Sequence, residues 1–239
     1  MIARLTPPEP PAALYRAFLD ALAAAGFAGE IARDHGTRTV LATDNSIYQR
    51  QPQAAVFPRD VADVQRLMRR AGEARFQRVV LTPRGGGTGT NGQSLTDGLV
   101  VDLSRHLNRI LEIDVEGRWA RVQAGVVKDQ LNAALAPHGL FFAPELSTSS
   151  RATLGGMINT DASGQGSCTY GKTRDHVLEL HSLLLGGEAC SADVVDRWSP
   201  NRVALNAYGP TEVTVWSLVA ECATGASAPP IGRPVANTR

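Results

Sequence analysis

Apolar positions along this chain follow two spacings. Leu14, Phe18 and Leu22 recur every four residues between Pro11 and Ala25, which is the spacing of one helical face. Ala54 to Phe57 is a short apolar run stopped by Pro58. Asp60 then predicts an N-cap, with Val61, Val64 and Leu67 as the apolar face of the helix that follows. Arg78-Val79-Val80-Leu81 predicts a buried strand that leads directly into a glycine-rich loop. Asp97-Gly98 marks a turn before a second apolar run, Leu99 to Leu103. Ile110 to Ile113 and Trp119 to Val122 alternate as two antiparallel strands joined around Glu116-Gly117. Val126 to Leu135 has helical spacing and ends before Pro137 and Gly139, and Val177 to Leu185 predicts a long apolar strand closed by Gly186-Gly187. Helices and short strands interleave without a strict βαβ rhythm. That favours an α+β fold over a doubly wound sheet.

Composition narrows the function classes. The 239 residues allow one large domain or two small ones, and 43% hydrophobic with 20% charged residues excludes wholesale disorder. With 24 basic and 23 acidic side chains the formal net charge is +1, so there is no electrostatic footprint for nucleic acid or an anionic membrane. Arg16 and Asp20 interrupt the alanine-rich start, which argues against a leader peptide. No run approaches the ~18 apolar residues of a membrane span. Cys168, Cys190 and Cys222 are too far apart for a Cys-x-x-Cys pair, so neither a disulfide framework nor a metal site is expected. His106, His138 and His176 share no metal-ligand spacing either. A soluble, cytoplasmic protein without a metal is the expectation. Arg174-Asp175 reads as a local ion pair.

Glycine changes the picture. Sixteen of the 23 glycines lie between Gly85 and Gly187. The loop Arg84-Gly85-Gly86-Gly87-Thr88-Gly89-Thr90-Asn91-Gly92 places five glycines in eight positions after a strand, exposing backbone N–H groups that suit a phosphate or pyrophosphate. Gly87 to Gly92 spells G-x-G-x-x-G, but the Asp97-Gly98 turn and a strand follow where a Rossmann loop would open a helix. No Lys-Ser/Thr pair closes the loop as a Walker A motif would. A plain surface turn is the competing reading, and it needs neither five glycines nor the donors Thr88, Thr90 and Asn91. A second cluster runs from Ala143 to Gly164 and on through Tyr170-Gly171-Lys172-Thr173. Its small residues suit either a flat ring with a polyol chain or a close helix-packing surface.

Together these segments, with Thr43-Asp44-Asn45-Ser46-Ile47-Tyr48, resemble the FAD-binding domain of the vanillyl-alcohol-oxidase or PCMH type. The likeness is strongest to FAD-linked D-2-hydroxyacid dehydrogenases of the D-2-hydroxyglutarate dehydrogenase kind and covers roughly residues 10 to 185. The resemblance implies a two-subdomain fold, truncated here. It also implies FAD as cofactor and hydride transfer from a small 2-hydroxy acid to flavin N5; the electron acceptor stays open. Carried over, it assigns the pyrophosphate to Arg84, Gly85, Gly86, Gly87, Thr88, Gly89 and Gly92. The ribityl chain and isoalloxazine fall to Pro144, Thr148, Thr153, Gly155 and Gly156, with Asn159, Ala162 and Gly164 close by and Tyr170-Gly171 at the pocket edge. Members that attach FAD covalently use a histidine where this chain has Thr88, so non-covalent FAD is expected. Ser147, Asp161 and Ser163 stand where many members have Gly, Asn and Gly, and Asp161 would bring a carboxylate toward an anionic cofactor unless it faces away.

The last segment resembles something else. Asn206-Ala207-Tyr208-Gly209-Pro210-Thr211-Glu212 is similar to the core of a nonribosomal peptide synthetase adenylation domain. In that family the matching tyrosine stacks on adenine, the threonine contacts phosphate and the glutamate engages Mg²⁺. The phosphate loop, ribose-binding aspartate and catalytic lysine of that family have no counterpart here, so complete adenylation is not expected. Both families carry a strand ending in a string like Leu184-Leu185-Gly186-Gly187-Glu188. The chain therefore reads as a helical lead-in over 1–48, a FAD-binding domain over 49–187 and an adenylation-like fragment over 188–239. The alternatives are an adenylate-binding fragment and an inactive chimera. Strands of the tail are expected either to pair beside Val177–Leu185 or to stay loosely ordered.

Overall fold

The computed structural model describes residues 9–179 and the backbone of four later strands, 182–186, 203–208, 218–222 and 233–234. The chain divides into two compact units, Met1–His176 and Val177–Arg239.

The first unit is built on a four-stranded sheet. Its strands are β1 (Glu30–Ala32), β2 (Ala54–Phe57), β3 (Leu81–Arg84) and β4 (Leu99–Asp102), in the order β1-β2-β4-β3. β2, β4 and β3 are mutually parallel, and β1 is antiparallel to β2. Every residue of β2 and β4 is buried, which is why both read as unbroken apolar runs: a central parallel strand is covered on both faces. Helix α1 (Ala13–Ala24) and helix α3 (Val61–Ala71) cover one face. Phe18, Leu22, Leu67 and Phe76 pack there on Val56, Leu99 and Val101. Leu41, at the end of the short helix α2 (His35–Val40), packs with Phe57 and Val100 on the other. Residues of the lead-in expected over 1–48 thus share this core and this sheet.

A second core lies around the hairpin β5 (Ile110–Asp114) and β6 (Trp119–Val122), with helix α4 (Lys128–Leu135) and helix α5 (Leu154–Asn159). Val126, Leu131, Leu135 and Leu154 form its centre. The remaining short helix, α6, spans Ser167–Tyr170. Among the described residues no helix is long and apolar enough to cross a membrane.

Local chemistry explains where the elements start. Asp60 caps α3 as the spacing predicts, its carboxylate accepting the Asp63 amide at 2.8 Å. The face this helix buries is different from the expected one. Val61 is exposed, while Asp63 and Leu67 are buried. Asp63 can be buried because its carboxylate accepts the amides of Ala28 (2.9 Å) and Arg59 (3.0 Å) and pairs with Arg66 at 3.1 Å. The strand expected over Arg78–Leu81 is also displaced and begins at Leu81. Ahead of it the Val79 amide closes a turn onto the Phe76 carbonyl at 2.9 Å, so the chain is still turning at Val79. Val80, just ahead of this edge strand, is half exposed.

The second unit holds β7 (Ser182–Gly186), β8 (Val203–Tyr208), β9 (Leu218–Cys222) and β10 (Arg233–Pro234), in the order β10-β9-β8-β7. β7 begins later than the strand expected from Val177, since 177–179 carry no strand. β8, from the tail, pairs in parallel with β7 from Ser182↔Val203 to Gly186↔Ala207, the first of the two expected outcomes. The junction at 187/188, Thr211 and Glu212 lie outside the described residues.

The packing makes a simple forecast. Phe18 is fully buried and meets the Phe76 ring edge-on at 5.2 Å. Phe18→Ala is expected to cost about 3–5 kcal/mol, against less than ~0.5 kcal/mol for exposed Val61→Ala. Urea unfolding of both variants checks it; equal midpoints would contradict the assignment of the core.

Candidate functional site

β3 and β4 run in parallel and end side by side, with Arg84 opposite Asp102, so the glycine loop leaves the sheet at the carboxyl ends of its strands. That edge is where open α/β sheets bind ligands. The loop lies against the segment 151–153, which belongs to the second core. A Cβ at Gly85 would overlap the Thr153 hydroxyl, and one at Gly86 the Arg151 carbonyl. Gly87 has φ +63°, and a Cβ there would stand 2.5 Å from an Arg84 guanidinium nitrogen. The glycines are therefore needed first for protein packing. Among the described residues the amides of Gly85, Gly86, Gly87, Thr88 and Gly89 donate to no protein acceptor. Five consecutive backbone donors without a protein acceptor are chemistry that an anion could satisfy.

Behind the loop sits a polar socket. Arg84 is 8% exposed; its guanidinium donates to the Thr43 carbonyl at 2.8 Å and reaches the Leu41 carbonyl at 3.4 Å and Ser94 Oγ at 3.5 Å. Ser94 donates to Asp44 at 3.0 Å, and the Asp44 carboxylate also accepts the Ser46 amide at 2.8 Å. The Asn45 amide donates to the Gly87 carbonyl at 3.0 Å and ties the 43–46 turn to the loop. Burial raises the Asp44 carboxyl, but the hydrogen bonds from Ser46 and Ser94 and the charge of Arg84 outweigh it and hold the group below its ordinary value. Burial pushes the Arg84 guanidinium below its ordinary value, against the opposing pull of Asp102 and Asp44.

The second small-residue cluster is organised by the same close approach. Thr153 is buried, caps α5 by accepting the Gly156 amide at 3.4 Å, and bridges to Val127. The Gly155 amide donates to the Ala124 carbonyl at 2.8 Å, so this part of the cluster is also a backbone packing surface. Gly164 (φ +68°) lies so close to Glu145 that a Cβ would overlap the Glu145 carbonyl. Pro144 is buried, Asn159 is exposed, and the Ala162 carbonyl accepts both the amide (3.0 Å) and, in a short bond, the hydroxyl of Thr173 (2.6 Å). Tyr170, half exposed, meets the Phe141 ring edge-on at 5.8 Å; Gly171 follows with φ +82°.

Two cavities flank the loop. One, of about 510 Å³, brings together Asn45, Thr88, Thr90, Thr148 and Gly164. The other, of about 390 Å³, is lined by Arg84, Gly85, Gly86, Asp102, Arg151 and Thr153 among others. Gly87, Gly89, Gly92, Pro144, Gly155, Gly156, Asn159, Ala162, Tyr170 and Gly171 line neither of these two. Asn45, Asp102 and Arg151 are not singled out as binding residues by the sequence. Asn45 lies within the quoted Thr43–Tyr48 motif, and Arg151 within the second cluster, so the segments carry the signal although the residues do not.

Two charged groups of the second cluster are held by local bonds. Asp161 takes a positive φ of 45°, and its carboxylate accepts the Arg174 amide at 3.1 Å and guanidinium Nε at 2.6 Å. Those bonds hold its pKa below the usual carboxylate value and compensate its charge. Arg174 is therefore paired with Asp161, while Asp175 accepts the Lys172 amide at 2.8 Å. The expected Arg174–Asp175 pair is corrected: the turn at 173–176 folds Arg174 back onto the end of α5. His176 reaches the Tyr170 carbonyl at 2.8 Å, and His106 reaches Glu30 at 2.7 Å. Among the described residues no cluster of His, Cys, Asp or Glu could hold a metal ion.

Comparison with known proteins gives a consistent picture. The profile of a family described as FAD binding domain matches residues 52–193. A D-2-hydroxyglutarate dehydrogenase of Pseudomonas putida is 74% identical over 196 residues, which is 82% of this chain and 19% of that protein. The chain thus spans about a fifth of the length of this relative. Over 59 residues it is 52% identical to a linear gramicidin synthase of Brevibacillus parabrevis, which is 25% of this chain and 1% of that one. These two matches exceed the chain length together, so they share a stretch of it. Among solved structures, an alkyldihydroxyacetonephosphate synthase superposes with a TM-score of 0.62 at 24% identity, covering 72% of this chain and 33% of that one. That superposition identifies the fold as the α+β arrangement expected from the sequence.

The socket makes a forecast about pH. A carboxylate whose folded pKa is depressed contributes stability above its unfolded value of about 3.9 and loses it as pH falls through the folded value. The stability difference between the wild type and Asp44→Asn should therefore stay constant from pH 8 to about 5 and shrink only below ~4. Urea unfolding across that range checks it, and a difference that vanishes near neutral pH would refute the depressed carboxyl.

Proposed function

This chain belongs to the family of FAD binding domains, and on that premise we propose that it forms the FAD-holding part of an oxidoreductase acting on a small 2-hydroxy acid. Its cofactor is FAD. The observation that carries the reading is the row of five loop amides without protein acceptors, set between two cavities. We assign the pyrophosphate to the Gly85–Gly89 amides, with Gly92 (φ +72°) turning the loop back. The cavity that joins Thr88 to Thr148 and Gly164 is assigned to the ribityl and ring end. Thr153 lines the other cavity, and Pro144, Gly155, Gly156, Asn159, Ala162, Tyr170 and Gly171, which line neither, are assigned supporting positions around the site.

Bound FAD would supply a hydride acceptor, and the protein's part is to bind, orient and tune it. Backbone amides neutralise part of the pyrophosphate charge without adding a flexible cation. Arg174 cancels the Asp161 carboxylate, which removes a charge that would repel the cofactor. Thr88 offers no nucleophile for attachment where relatives of the resembled type use histidine, so the FAD is held non-covalently. D-2-hydroxyglutarate is the first substrate to test in the whole protein, because the Pseudomonas relative is named for it. A cytoplasmic location is proposed on the widely spaced cysteines alone.

A second reading attaches to the tail. Its similarity to the gramicidin synthase favours descent of that segment from an adenylation domain. Tyr208 ends β8, and its proposed partners Thr211 and Glu212 lie outside the described residues.

The test is equilibrium dialysis of the chain against FAD, followed by acid precipitation. FAD is expected to be retained on dialysis and then released entirely into the supernatant. Failure to retain FAD would overturn the binding reading, and flavin left in the pellet would overturn the non-covalent one. Gly86→Val is expected to weaken FAD by at least about tenfold, since its side chain must displace the Arg151 carbonyl and with it the loop.

A further inference from the structure

We infer that Arg84 is a positioning residue: it shapes the glycine loop from behind through a socket completed by Ser94 and Asp44, and does not hold the pyrophosphate itself. The inference rests on the FAD reading above and departs from the pyrophosphate role that the family resemblance assigns to this arginine.

The direction of the guanidinium carries it. An arginine beside a phosphate loop is ordinarily a charge-assisted phosphate ligand. Here the fork is buried, and its nitrogens face the Leu41 and Thr43 carbonyls and the Ser94 hydroxyl. The same group occupies the space beneath Gly87, where a Cβ would stand 2.5 Å from it, so it supports the loop at its positive-φ residue. Ser94 is itself held by Asp44, in the turn whose Asn45 amide grips the Gly87 carbonyl. Arginine, serine and aspartate thus connect the two ends of the loop to one turn of the preceding segment. With the loop carbonyl at Gly87 engaged on that side, the neighbouring amides are left for an anion on the other. A lysine carries the same charge on one nitrogen and cannot place donors where the two guanidinium nitrogens stand, whereas as a point charge it would still serve a phosphate.

The experiment uses the full chain as wild type, Arg84→Lys, Ser94→Ala and the double variant, with two readouts. Hydrogen exchange of the Asn45 amide and the 85–94 loop is followed without FAD, and FAD affinity is measured by dialysis. Arg84→Lys and Ser94→Ala are each expected to speed loop exchange and to weaken FAD on the order of tenfold. The double variant should be no worse than Arg84→Lys alone, since both act through one socket. If Arg84→Lys keeps the affinity and the exchange protection of the wild type, arginine acts as a charge on the phosphate and the inference falls. It falls as well if Ser94→Ala changes neither readout. Should the wild type take up no FAD, the functional reading fails, and the exchange readout alone decides whether the socket orders the loop. Ser94→Ala, a small change, keeps the test decisive if Arg84→Lys does not fold.

Discussion

Backbone meets backbone between the 84–89 loop and the 151–153 segment, and the rest of the site depends on that approach. Side chains at 85 and 86 would collide with Thr153 and Arg151, so glycine is required there whatever binds outside. The contact also joins the two cores of the first unit. The loop is the exit of β3 from the parallel sheet, and the 151–153 segment leads into α5 of the hairpin core. The two cavities beside the loop are lined from both sides of this seam, by Arg84 and Thr153 in one and by Thr88 and Thr148 in the other. Packed protein does not deform continuously, so a single methyl group inserted at this seam would shift the donors as a set.

Charge is handled around the same seam by local compensation. Asp44 is held by Ser46, Ser94 and the field of Arg84. Asp102 caps the turn after β4, accepting the Ser104 amide at 2.8 Å and the Ser104 hydroxyl at 2.7 Å. Asp161 is taken by Arg174. Left uncompensated, these three carboxylates would repel a pyrophosphate held at the proposed site. With each engaged elsewhere, the loop presents its amides and the Thr88, Thr90 and Asn91 side chains without a competing carboxylate, and dipoles fixed by the fold need little reorganisation when an anion arrives.

Legibility in the sequence varies with how local the cause is. The Asp60 cap, the β5–β6 hairpin and the run at 54–57 rest on neighbouring residues and stand where the pattern places them, and the run expected over Leu99–Leu103 forms a strand that ends one residue earlier, at Asp102. The strand ahead of the glycine loop reads too early because Val79 and Val80 look like strand residues, while a turn closed by Phe76 delays it to Leu81. Val61 reads as part of a buried face that the helix in fact turns outward. Asp63 takes that place, because two backbone amides from elsewhere in the fold and Arg66 satisfy its carboxylate. Adjacent charges at 174 and 175 suggest a pair that the turn at 173–176 replaces with a contact across 13 residues.

The sequence by itself determined that two glycine-rich segments at fixed spacing follow a strand and a hairpin, and that the tail carries a different motif. Those are properties of composition and order, readable because glycine and small polar residues have few other uses in such density. Only the tertiary structure decided what each glycine is for. Whether a glycine faces a ligand, a neighbouring carbonyl or a buried guanidinium depends on which distant segment lies against it. That is fixed by packing between residues some sixty-five positions apart, as at Gly86 and Arg151.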